Sequence, residues 1–182
     1  GLIYLKGNKF KPSAEIYTDI KAKYLINQIS SNVIGFIPSV LKKKKDREKA
    51  QTIVLTAHYD HLGFGDENSL WSGAPGIHRG ADDNASGVAA LTEIARRLSR
   101  MPQPERDIYF VATTAEELGL LGAEAFAENP PLPLKQIVAA FNIDSVAIAP
   151  AGTPFGIVGK GLTPLDPGIA AVAKAQKKKL AP

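Results

Sequence analysis

Three stretches of the chain are almost uniformly apolar and rich in β-branched or aromatic residues: Thr52–Ala57 (TIVLTA), Asp107–Thr113 (DIYFVAT) and Ile137–Ile143 (IVAAFNI). They read as strands covered on both faces, because a strand with one wet face would alternate apolar and polar positions. From Asn84 the period changes to helical. Val88, Leu91, Ile94, Ala95 and Leu98 fall on one face, Glu93, Arg96, Arg97 and Arg100 largely opposite, and Pro102 and Pro104 end the segment. Leu118–Glu128 predicts a second helix, stopped before Asn129-Pro130-Pro131, and Pro167–Lys178 a third. Weaker signals add a strand at Asn32–Ile37, closed by Pro38, a short strand at Phe155–Val158, and loosely alternating antiparallel strands between Leu2 and Leu25. A Gly-rich loop runs from Gly63 to Gly80. Strands alternating with helices predict a three-layer α/β fold, a mixed and mainly parallel sheet with helices on both faces.

Composition narrows this picture. A length of 182 residues suits one domain, and 45% hydrophobic with 22% charged residues excludes disordered, collagen-like and coiled-coil chains. The formal charge of +4 arises from two lysine runs, Lys42–Lys45 and Lys177–Lys179, without which acidic residues outnumber basic ones. Charge crowded into loop-like stretches reads as solvated surface, so no nucleic-acid partner is expected. No window is apolar enough for a membrane span and none reads as a signal peptide. The lack of cysteine excludes disulfides, thiolate metal sites and a cysteine nucleophile, and leaves the compartment open.

Candidate chemistry lies where the strands end, since ligands of open α/β sheets bind beyond the carboxyl ends of the parallel strands. The first strand ends in His58-Tyr59-Asp60-His61, with His58 and Asp60 on one side of the chain. A metal-ligating imidazole needs one nitrogen for the ion and a carboxylate on the other, although a His and an Asp can also simply finish a strand. Asp82-Asp83-Asn84 opens the long helix, where one capping oxygen would suffice and two carboxylates stand. Glu116-Glu117 follows the second strand. Acidic residues suit a first helical turn, or divide into a metal ligand and a general base. The third strand ends at Asp144, by itself an ordinary turn residue. Convergence of all these groups on one sheet edge points to a metal site, and His, Asp and Glu without Cys suit Zn²⁺.

AHYDHLG (57–63), GADDNASG (80–87), EELGLLG (116–122) and the NID strand end (142–144) resemble, in order and spacing, the co-catalytic zinc exopeptidases, a family of secreted bacterial aminopeptidases, glutamate carboxypeptidases and glutaminyl cyclases. The resemblance runs from about Asn32 to the C-terminus. It implies that His58 and Asp144 hold one zinc, Glu117 the second, and Asp82 bridges both, with a cis peptide at Asp82-Asp83. Glu116 matches the general base and Asp60 the carboxylate behind His58, while His61 and His78 match no ligand. The implied activity is zinc-dependent hydrolysis of peptide bonds, releasing N-terminal residues from peptides with a free N-terminus through a metal-bridging water. A carboxypeptidase, a cyclase or a non-catalytic binding domain are the alternatives within the family. The family pattern has a fifth ligand, a histidine well beyond the NID strand, and no residue after Asp144 is a histidine. The expectation is therefore a single peptidase domain over 1–182 that is C-terminally incomplete, with residues 1–31 adjoining an absent upstream region and a second zinc lacking its imidazole. A periplasmic or secreted location is implied by the resemblance alone.

Overall fold

The computed structural model describes residues 29–41, 46, 51–65, 75–146 and 149–181, and the expected strands between Leu2 and Leu25 lie outside them. Four strands form the main sheet: β1 (Val33–Ile37), β2 (Thr52–His58), β5 (Asp107–Thr113) and β6 (Ile137–Asn142), in the spatial order β1-β5-β2-β6. β5 and β6 flank β2 in parallel, and β1 pairs antiparallel with β5 at the edge. Register brings His58 opposite Thr113 and Thr56 opposite Asn142. The carboxyl ends of the three parallel strands therefore meet along one edge.

Parity along the strands decides the layers. Leu55, Ala57, Ile108 and Phe110 point to one face, where Val88, Leu91, Ile94, Ala95 and Leu98 of helix α1 (Gly87–Leu98) cover them. This is the apolar stripe expected from the helical period, and it supplies the hydrophobic core. Residues of the other parity, Val54 and Val111, are buried on the second face. Helix α2 (Leu121–Glu128) lies over the carboxyl end of that face: Ala123 and the preceding Leu120 line a cavity of about 210 Å³ with Thr56, His58, Thr113, Glu116 and Asn142. A third helix, α3, spans Asp166–Ala175.

Several boundaries differ from the sequence expectation, among them the end of α3 at Ala175 rather than Lys178. α1 begins at Gly87 rather than Asn84, since Asp83 (φ −103°, ψ 94°) and Asn84 (φ −134°, ψ 38°) are non-helical. α2 begins three residues late because Gly119 (φ 108°) and Leu120 (φ 63°) are left-handed, while both their N–H groups donate to the Glu116 carbonyl in a closed turn. The expected strand Phe155–Val158 reduces to one bridge between Phe155 and Leu180. Within the Gly-rich loop, β3 (Phe64–Gly65) and β4 (Gly76–Ile77) pair as a small antiparallel ribbon.

Candidate metal centre

His58 ends β2 with its side chain buried, 2% exposed. Its Nδ1–H donates to the Asp60 carbonyl at 3.2 Å, which leaves Nε2 facing the neighbouring carboxylates. Nε2 lies 3.0 Å from Asp83 Oδ1 and 3.6 Å from Asp144 Oδ2. Asp144 follows β6, and Ser145 Oγ donates to its Oδ1 at 2.9 Å, leaving Oδ2 toward His58. Glu116 lines the cavity beside His58, on the turn that joins β5 to α2. Glu117, next to it, turns the other way: Oε1 accepts from His61 Nδ1 at 2.7 Å, and its backbone N–H donates to Asp60 Oδ2 at 3.3 Å.

Among the described residues two groups of metal-capable side chains result, His58 with Asp83 and Asp144, and His61 with Asp83 and Glu117. Of the two aspartates, it is Asp83, and not the Asp82 to which the resemblance gave the bridging role, that belongs to both groups. The reason is local. Asp83 (φ −103°, ψ 94°) is non-helical within the irregular segment Ala81–Ser86, so neighbouring side chains diverge, and Asp83 is the one that falls in both groups. The cis peptide shifts likewise, and lies at Asp83-Asn84 rather than Asp82-Asp83. Asp60 orients His58 chiefly through its carbonyl, its carboxylate Oδ1 standing 3.7 Å from Nδ1. His61, given no ligand role by the resemblance, stands against Glu117.

Asn84 is the residue whose importance the sequence hides. It is 1% exposed, and its Oδ1 accepts from Gly87 N–H (2.9 Å) and Ser145 N–H (3.2 Å) while Nδ2 donates to the Ile143 carbonyl (3.0 Å). One amide therefore caps α1 and ties the Asp83 turn to the Asp144 strand end. Its capping part follows from residue type and position. The link to β6 joins residues about sixty positions apart, and no local pattern records it.

Electrostatics follow from so many carboxylates around one imidazole. Burial disfavours the charged form of His58, but Asp144, Glu116 and Asp83, with the Asp60 carbonyl, outweigh it and raise its pKa. Burial raises the pKa of Glu116; the charge of His58 opposes this, and Glu117, Asp144 and Asp83 reinforce it. The residues fit a divalent cation. His58 Nε2 is buried and, although 3.0 Å from Asp83 Oδ1, makes no hydrogen bond among the described residues. An imidazole nitrogen among carboxylate oxygens, close but poorly aligned for proton sharing, is a donor set that zinc satisfies.

Residues 32–182 match the profile of peptidase family M28. The chain belongs to peptidase family M28. Among M28-like relatives, aminopeptidase YwaD of Bacillus subtilis is 36% identical over 128 residues, covering 70% of this chain and 24% of the relative. A probable lipoprotein aminopeptidase, LpqL of Mycobacterium tuberculosis, is 32% identical over 129 residues, again 70% of this chain and 23% of the relative. The crystal structure of a zinc aminopeptidase from Bacillus subtilis superposes with a TM-score of 0.63 at 29% identity, over 85% of this chain and 34% of that one. A glutaminyl cyclase of Bacteroides thetaiotaomicron, at 24% identity and a TM-score of 0.62, shares the fold. This M28 chain thus spans about a quarter of the length of the curated relatives it matches.

Proposed function

We propose that this chain carries the metal centre of a zinc-dependent aminopeptidase. The observation behind this is that two donor groups share Asp83 beside Glu116, in a family whose similar members bear aminopeptidase names. His58, Asp83 and Asp144 would hold one zinc, and Asp83 with Glu117 the second. Zinc supplies Lewis acidity toward a peptide carbonyl and makes water easier to deprotonate. Glu116 faces the cavity, takes the proton of the attacking water and returns it to the departing amine. His58 is held in one orientation by the Asp60 carbonyl. The excess of carboxylate at this edge favours a positively charged α-amine over a substrate carboxylate, which supports release of N-terminal residues. Export to the periplasm or the exterior accords with the lipoprotein relative.

The test is hydrolysis by the zinc-loaded protein. Aminoacyl anilides with a free amine should be cleaved and their N-acetyl forms spared. Release of C-terminal residues from N-blocked peptides would make it a carboxypeptidase, cyclisation of N-terminal glutamine a cyclase, and zinc binding without turnover a binding domain.

A further inference from the structure

His61 stands outside the ligand set just described, yet its ring is fixed against it. Nδ1 lies 2.7 Å from Glu117 Oε1, and the two side chains are only 21% and 19% exposed. The ring is flanked by Gly80 and His78. A Cβ at Gly80 would stand 3.0 Å from His61 Cβ and Cγ, so only glycine leaves it this room, and Gly80 adopts the left-handed φ of 59° that glycine tolerates. The His78 ring meets it edge-on, with centroids 6.0 Å apart.

We infer that His61 is the positioning residue of the second metal position, its Nδ1–H holding Glu117 Oε1 so that the other carboxylate oxygen stays directed at the cation. The inference rests on the two-site reading above and deepens it. The separation is that of a hydrogen-bonded pair. Two donors on one tetrahedral zinc at about 2.0–2.2 Å stand more than about 3 Å apart, whereas 2.7 Å is the length of a charge-assisted hydrogen bond. A glutamate has three rotatable torsions, and an ion held by few protein donors depends on that side chain being set before it arrives. Carboxylate ligands are themselves hydrogen-bonded as a rule, and loss of such a partner typically costs about 10–100-fold in metal affinity.

The experiment titrates the protein with cadmium and with zinc against a chromophoric chelator, for wild type, His61→Ala and His61→Asn. The asparagine amide can place an N–H near the position of Nδ1. His61→Ala should weaken one of two sites about 10–100-fold and leave the other unchanged, His61→Asn should recover most of that loss, and circular dichroism should show all three folded. In the cadmium-loaded protein with ¹⁵N-labelled histidine, His58 should couple to ¹¹³Cd while His61 keeps its Nδ1 proton. Unchanged affinity in His61→Ala overturns the inference, as does direct coupling of cadmium to His61, which would make it a ligand. In both of those cases His58 still binds and the two-site reading survives. Absence of cadmium coupling at His58 overturns that reading itself.

Discussion

Glu116 and Glu117 are neighbours of identical chemistry, yet the turn after β5 sends one into the cavity beside His58 and the other toward His61 and Asp83. Their substitutions should therefore differ in kind. Glu116→Gln should keep its zinc, measured by elemental analysis, and lose about 10²–10⁴ of its turnover on an aminoacyl anilide, the usual contribution of a general base. The aspartate pair gives a second contrast. Asp83→Asn should abolish tight metal binding at both positions, whereas Asp82→Asn should leave zinc content close to wild type. Equal losses in the two variants would return Asp82 to the centre.

At the scale of elements, the site depends on how the start of α1 is tied to the end of β6. Asn84→Ala removes the acceptor for two N–H groups and the donor to the Ile143 carbonyl, all in a buried place. Each unpaired group costs about 1–3 kcal/mol, so urea denaturation should show a loss of at least that size, and zinc affinity should fall with it. Gly87→Ala should act the same way, since its Cβ would meet Asn84 Oδ1 and the Ile143 carbonyl. The outer face of α1 carries a separate and exposed feature. Glu93 receives Arg96 Nε at 2.6 Å and Arg97 Nε at 2.7 Å, and these hydrogen bonds hold its pKa down at about 2. A depressed carboxylate contributes to stability above its ordinary pKa, and that contribution is lost as pH falls through about 2. An NMR titration of Glu93 should show the low midpoint, and Arg96→Ala should move it up toward the ordinary carboxylate range. Because both partners are solvated, the effect on stability should be small.

On the scale of the whole molecule, the site joins four separated segments, the ends of β2, β5 and β6 and the turn before α1. Several carboxylates gathered at one edge repel one another until a cation is present. Zinc that binds only this folded arrangement stabilises it by mass action, by about 2.7 kcal/mol at a hundredfold excess over the dissociation constant. The melting temperature should rise with added zinc and return on chelation, and in Asp83→Asn it should barely respond.

The amino-acid sequence by itself determined the elements and their order. Apolar β-branched runs mark β2, β5 and β6, and the stripe of Val88, Leu91 and Ile94 marks α1, because burial imposes those periods locally. It also determined which strand ends carry chemistry, since parallel strands must place His58, Glu116 and Asp144 along one edge. Tertiary structure alone distinguished between neighbours: Asp83 rather than Asp82 falls in both metal-capable groups, and the Asp60 carbonyl rather than its carboxylate accepts from His58. It also drew His61 against Glu117 and Asn84 against Ile143 and Ser145. These choices turn on backbone dihedrals at single residues and on contacts between segments about sixty positions apart. Periodicity along one segment contains no information about either.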